Sequence, residues 1–221
     1  MSVIRIESIA DGVKKYLEQR IVTGKLKPGQ QIKEQEVAES LGVSRPPIRE
    51  ALKILEAEGL ITRKPNKGAF VTEIEEKDIW EIYTLKTALY GLGTRLAFDR
   101  LNDTLINKLE QITSRMKECI EQDPPDISRY QRLNEQFHDL VLDAADHGRL
   151  KKMADTLHNQ VKRYSYRSLA ERSHLQRSYK YHKAIVDAIK KGEREKAAQL
   201  TEEHVLEGLN VLQGISKREG K

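Results

Sequence analysis

The chain has 221 residues, of which 38% are hydrophobic and 33% charged, a balance that supports a packed core and excludes wholesale disorder. No run approaches the roughly 20 apolar residues a membrane span needs, and MSVIRIESIADGVKK at the start lacks the apolar stretch and cleavage site of a signal peptide. A single cysteine, Cys119, excludes an internal disulfide and fits a reducing cytoplasm. The net charge of +5 is unevenly spread: residues 1–74 carry 13 basic against 10 acidic residues, and the other 147 carry 26 against 24. The first third is the more basic per residue, which is compatible with a nucleic-acid partner.

Ile6, Ile9, Val13, Tyr16, Leu17 and Ile21 recur at helical spacing and predict a first helix to about Thr23, ended by Gly24. KLKPGQQI reads as a turn followed by a short extended stretch. A second helix is expected from about Lys33 to Leu41, burying Val37, Ala38 and Leu41, with Gly42 as its breaker. In GVSRPPIREALKILEAEGL, Ser44 is placed to accept a backbone N–H as an N-cap. Pro46 and Pro47 fall in the first turn, where a missing N–H does no damage. Ile48, Ala51, Leu52 and Leu55 form the inward stripe, and Gly59 suits a left-handed C-terminal cap. Arg45, Arg49 and Lys53, at i, i+4 and i+8, form a basic ridge on the opposite face. Two short helices across one glycine, the second bearing such a ridge, is a helix-turn-helix arrangement. LITRK, PNKG and AFVTEI then read as strand, turn and strand, a hairpin wing with Arg63, Lys64 and Lys67 on or near its tip. Ridge and wing are two phosphate-seeking surfaces on one small domain.

The run GKLKPGQQIKEQEVAESLGVSRPPIREALKILEAEGLITRKPNKGAFV resembles the DNA-binding domain of the GntR family of bacterial regulators. The PG before the second helix, the LGVSR-x-P-x-RE-AL run and the EGL…GAFV wing carry the likeness, which covers residues 6–73. It implies that Arg45 and Arg49 contact bases or phosphates, that Ser44 contacts phosphate, and that Gly68 brings the wing near the minor groove. Gln35 stands where many members of the fatty-acid-regulator branch have Arg.

From Glu75 onward no strand is expected. Helical periods recur over about 76–99, 102–122, 126–146, 149–169, 174–191 and 193–213, separated by breaks such as Asp123-Pro124-Pro125 and Gly192. The fold expected is therefore mainly α: a winged helix-turn-helix over 1–74 and an antiparallel bundle of about six helices over 75–221.

All six histidines lie in the second domain. Leu133, Phe137, Leu140 and Ala144 define a buried stripe, and Asn134 and His138 lie one residue along from it. His182 heads a series with Ile185, Val186 and Ile189; His204 falls in one with Ala197, Leu200 and Val211. Three histidines from three helices are thus expected to face the bundle interior, whereas His147 and His174 fall at breaks and His158 flanks its stripe. Three buried imidazoles without partners are costly, and a divalent transition metal, zinc or nickel, resolves that cost. Asn134 adds an amide oxygen one turn before His138. Each histidine taken singly also reads as a hydrogen-bonded core residue.

The region resembles the FCD effector-binding domain that follows the winged helix in the fatty-acid-regulator branch. NEQFH…YHKAI…EEHV matches its metal-binding signature, the second and third histidines being 22 residues apart. The resemblance implies Asn134, His138, His182 and His204 as ligands. Asn134 replaces a common Asp, and Lys86 and Tyr90 stand where an Arg and a Glu are frequent. A neutral Asn leaves the ion its full charge, which favours an anionic effector. Lys86, and more weakly Arg163, are candidate contacts to such a carboxylate.

The function expected is a DNA-binding regulator, a homodimeric repressor on a palindromic operator, controlled by a small carboxylate metabolite. The alternatives are a metalloregulator that senses the ion itself, a structural metal, and a metal-dependent enzyme. Against the enzyme, no carboxylate is placed as general base beside the histidines, and neither a phosphate-binding glycine loop nor a G-x-S-x-G run occurs.

Overall fold

The computed structural model describes residues 8–219, and these divide into two compact units that meet in sequence at Glu75 and Glu76. Ile6, assigned above to the first helix, lies outside the described residues.

The first unit contains α1 (Ile9–Val22), β1 (Gln31–Ile32), α2 (Glu34–Leu41), α3 (Arg45–Ala57), β2 (Ile61–Lys64) and β3 (Gly68–Val71). α1 starts with a capping box in which Ser8 and Asp11 satisfy each other's backbone N–H groups. Its inward stripe is Ala10, Val13, Leu17 and Ile21, whereas Ile9 is 64% exposed. The spacing places Ile9 in the first turn, and the small Ala10 takes the inward position instead. Val13, Leu17 and Ile21 pack with Ile48, Leu52 and Leu55 of α3 and with Ile61 and Val71 of the sheet. Gly59 takes the left-handed conformation expected of it, at φ 77°, and Gly42, the expected breaker of α2, does so too, at φ 64°. At Gly59 the bonds Leu60 N–H to Leu55 O and Gly59 N–H to Glu56 O complete a Schellman cap, which ends α3 and starts the wing.

One expectation at α3 fails. Ser44 occupies the N-cap position with extended backbone, but its hydroxyl accepts no backbone hydrogen bond. A cap bonds the N–H of the second or third helical residue, and here these are Pro46 and Pro47, which have none. The wing is also larger than a hairpin. β3 pairs with both β2 and β1, all antiparallel, in the order β1-β3-β2, so the extended stretch before α2 is its third strand.

The second unit consists of α4 (Glu76–Ala97), α5 (Asp103–Ile120), α6 (Ile127–Ala144), α7 (Gly148–Leu169), α8 (Arg172–Lys190) and α9 (Arg194–Glu219), with a short 3-10 turn after α4. Its core joins Leu109 and Met116 of α5, Tyr130, Leu133 and Phe137 of α6, Leu175, Ile185 and Val186 of α8, and Ala197 of α9. α4 packs along α9 and also against α6 and α7, so three helices face its inner side. Among the described residues no helix is long and apolar enough to cross a membrane.

Candidate functional site

In the first unit Arg45, Arg49 and Lys53 are exposed along the outer face of α3, beside the free hydroxyl of Ser44. The arginines are tied to α2: Arg49 Nε lies 2.8 Å from a Glu34 carboxylate oxygen, and Arg45 donates to Gln35 Oε1 at 3.2 Å. From the wing, Arg63 donates to the Arg49 carbonyl and pairs with Glu56 at 3.2 Å. Exposed pairs of this kind are worth under about 1 kcal/mol, so a phosphate displaces them at little cost. The wing tip turns through Pro65 and Asn66, the latter at φ 58°, and Lys67 N–H bonds the Lys64 carbonyl. Gly68 follows at φ 92°, and Gln31 of β1 donates to the Lys67 carbonyl at 2.7 Å, which fixes the tip.

The second unit brings His138, His182 and His204 together from α6, α8 and α9. All three are buried, and one ring nitrogen of each lies within 4.8 Å of one of the others'. His182 Nδ1 donates to the Ser178 carbonyl at 2.7 Å, which leaves its Nε2 lone pair free. That Nε2, the Nδ1 of His204 and the Oδ1 of Asn134 are buried with no hydrogen-bond partner. Burial holds all three imidazoles neutral: His182 titrates at about 4, and His138 and His204 lie well below the usual range, both further lowered by His182 and by Lys86, and His204 also by His138. Three neutral imidazoles that converge, two of them with an orphaned nitrogen, together with the orphaned amide oxygen of Asn134 one turn before His138, are a donor set that suits a borderline divalent cation.

Asn134, His138 and His204 line a cavity of about 50 Å³ that also receives Lys86 from α4. Lys86 is 5% exposed, and burial lowers its ammonium to about 8 against the opposing charge of Glu135. It donates to His158 Nδ1 at 3.3 Å, while His158 Nε2 stands 3.3 Å from Glu135 Oε1, close but not aligned as a hydrogen bond. Glu135 Oε2 in turn meets Lys162 at 3.0 Å. Since burial and Lys86 keep His158 neutral, its remaining proton sits on Nε2, and the Glu135–His158 pair aims Lys86 as a fixed cation. Arg163 is half-buried and is not among the residues that line the cavity.

Two family models match the chain: "Bacterial regulatory proteins, gntR family" over residues 9–71 and "FCD domain" over residues 81–207. The chain belongs to the GntR family and carries an FCD domain. This GntR chain is 30% identical to an uncharacterized HTH-type transcriptional regulator, YdhC, of Bacillus subtilis, over 88% of its own length and 84% of the relative's. It is 32% identical to the gluconate operon transcriptional repressor of the same species, over 77% and 68%. It is 28% identical to the probable D-xylose utilization operon transcriptional repressor of Paenarthrobacter nicotinovorans, over 90% and 86%. Among solved structures it is similar in fold to E. coli McbR/YncC, with a TM-score of 0.81 at 20% identity over 96% of this chain and all of that one. A putative GntR regulator from Rhodococcus sp. RHA1 superposes with a TM-score of 0.75 at 21% identity, over 94% and 99%. The protein is a transcription regulator of this family.

Sequence reasoning missed several groups in this FCD cavity. His174 is not at a break: α8 begins at Arg172, so His174 lies inside its first turn, is 3% exposed and lines the cavity. His158, Glu135, Tyr83 and Ser165 line it too. One usable signal was the spacing of His174, Ser178 and His182 at four-residue intervals, one face of a helix. His147 has a structural task, its Nδ1 accepting the Leu150 N–H as the N-cap of α7. Cys119 is buried on α5 with its thiol bonded to the Arg115 carbonyl.

Proposed function

We propose that this regulator is a metabolite-responsive repressor, which binds a palindromic operator as a homodimer and is controlled by a small carboxylate held in the FCD cavity. The observation that carries the reading is that a cluster of three neutral imidazoles, His138, His182 and His204, reaches through His138 and His204 into a cavity that also receives the buried Lys86 cation. Asn134, His138, His182 and His204 would hold a zinc or nickel ion, which when bound supplies positive charge and open coordination positions for an anion. Lys86 presents a point charge to the same anion, positioned by His158 and Glu135. A metal sensor proper has no use for a second cation beside the ion, so Lys86 favours an anionic signal over the ion itself.

On the DNA side, Arg45, Arg49 and Lys53 would meet the major groove, Ser44 a phosphate, and Arg63, Lys67 and Gly68 the backbone beside the wing. Repression is supported by the two relatives named as operon repressors. Dimerisation is supported by large apolar side chains left exposed on α4, where Leu85 and Leu92, on one face, are 56% and 43% exposed and Trp80 is 52% exposed.

The test is recovery of DNA from the protein's own fragmented genome at two salt concentrations, with Arg49→Ala in parallel. A discrete palindromic fragment, lost in the variant and weakened by salt, is the expected result. Diffuse binding indifferent to Arg49 would overturn the DNA reading, and operator binding that no carboxylate alters would overturn the effector reading.

A further inference from the structure

The half-buried lysines among the described residues each meet carboxylates. Lys14 lies between Glu18 and Glu58 at 2.7 and 3.0 Å, Lys151 touches Asp139 and Asp155, and Lys162 meets Glu135 at 3.0 Å. Lys86 is buried more deeply than any of these, and no carboxylate of the described residues pairs with it. Glu135, the acid whose charge it feels, turns its two oxygens to His158 and Lys162 instead. The Lys86 Nζ bonds His158 Nδ1 at 3.3 Å and stands 5.4 and 5.2 Å over the rings of Tyr83 and Tyr90.

The ring faces steady an ammonium, whereas burial without a counter-ion favours the free amine. Both forms are therefore within reach near neutrality, with titration at about 8. An arginine would keep its charge here at any pH, so a site for charge alone gains nothing from a lysine that releases its proton. The neighbours fit a second task. Lys86, His158 and Glu135 follow one another at 3.3 Å and 3.3 Å, in the order nucleophile, base and carboxylate, and all three line the cavity.

We propose that Lys86 captures its ligand covalently and reversibly, its amine condensing with the carbonyl of a small aldehyde or oxo acid to give an iminium. The proposal rests on this cavity being the effector site and adds a bond-forming step to it. His158 Nδ1 takes a proton from the Lys86 ammonium, and the freed lone pair forms the N–C bond as the carbonyl π bond breaks toward oxygen. One proton passes from nitrogen to that oxygen, giving a carbinolamine. His158 then returns its proton to the hydroxyl, water leaves, and the nitrogen lone pair closes the C=N bond. Between the two transfers the Glu135 carboxylate offsets the imidazolium. The iminium carries the same single positive charge as the ammonium, so the attraction of Lys86 for an anion is kept.

The experiment is reductive trapping on the full-length protein at neutral pH with cyanoborohydride, which reduces an iminium and spares a free carbonyl. Glyoxylate, pyruvate and acetaldehyde are the probes, and labelling of each lysine is followed by peptide mass mapping. With at least one probe, Lys86 should be alkylated about tenfold faster than the exposed Lys53 and Lys183, because more of its amine is free. His158→Gln should slow Lys86 about tenfold and leave Lys53 and Lys183 unchanged; the wild-type map needs no variant, so the test stands if this one fails to fold. Labelling of Lys86 no faster than the exposed lysines with all three probes would overturn the capture. A Lys86 rate unmoved in folded His158→Gln overturns the role given to His158. Calorimetry with acetate and propanoate, which form no iminium, separates the two readings. If trapping fails and either acid binds, the carboxylate reading stands without the covalent step; if neither binds, both fall.

Discussion

The two units solve the problem of presenting polar groups in opposite ways. In the first, the cations proposed to meet DNA stand on the surface, loosely tied to Glu34, Gln35 and Glu56 by contacts that water already weakens. In the second, the proposed binding groups are taken out of water, and buried polar atoms on Asn134, His174, His182 and His204 are left without hydrogen-bond partners, as are Glu135 Oε1 and His158 Nε2. The surface site risks little stability and loses its contacts gradually. The buried site carries a standing desolvation cost that a ligand is positioned to offset. Substitutions and pH should therefore act steeply on the second unit and gently on the first.

The largest effect is expected at the imidazole cluster. His182→Ala should lower zinc affinity by at least a hundredfold, because it removes one of three ligand nitrogens, the one whose tautomer the Ser178 carbonyl holds in place. Competition with a chromophoric chelator measures it, and an unchanged affinity would mean that the cluster is core packing only.

Acid is the next lever. His174 and His182 titrate at about 4 in the folded chain, against about 6.5 unfolded. Between those values the unfolded state binds more protons, so the stabilisation present above pH 6.5 is lost as pH falls toward 4, by up to about 3 kcal/mol for a fully buried imidazole. Denaturant melts of the metal-free protein from pH 7 to pH 4.5 should show it. A flat stability profile would mean that these rings are hydrated.

How much of this was legible beforehand follows the same division. The recognition ridge could be read because it depends only on residues four apart on one helix. The imidazole cluster could be read because His182 sits within an unbroken apolar stripe, and His138 and His204 beside or within others. His174 and His158 could not. His174 lies just after Glu171, where the helical phase is lost, and α8 starts two residues earlier than its apolar pattern shows. His158 flanks the stripe of α7, and its place beside Lys86 comes from the approach of α4, which no local spacing records. Arg163 belongs to a run of polar residues with no phase to read, and it lies away from the cavity lining. The third strand, β1, is two residues long and has no period of its own.

On the surface unit the expected effects are smaller. Arg49→Ala should weaken operator binding about tenfold to a hundredfold and lower the slope of log affinity against log salt by about 1 if the contact is to phosphate. Fluorescence anisotropy over a salt series separates that from a base contact, which costs affinity without changing the slope. In the cavity, Lys86 titrates at about 8, because burial disfavours its charge. Carboxylate affinity should therefore fall as pH rises past 8, approaching tenfold per unit, and Lys86→Met should remove that dependence. A wild-type affinity that stays constant to pH 9.5 would place the anion away from Lys86.

The smallest expected effect is the most discriminating for α3. A serine at an N-cap ordinarily contributes about 1 kcal/mol through its bond to a backbone N–H in the first turn. Ser44 makes no such bond, since the second and third residues of α3 are Pro46 and Pro47. Ser44→Ala should therefore leave the melting temperature of the first unit within about a degree, while operator affinity falls by a few fold as one phosphate contact is lost. Thermal melts and anisotropy on the same preparation read both quantities. A clear loss of stability with no loss of affinity would reverse the assignment and make Ser44 a cap after all. The opposite pattern would mean that the prolines free this hydroxyl for DNA, at a helix end where they leave few backbone N–H groups to hold a phosphate alone.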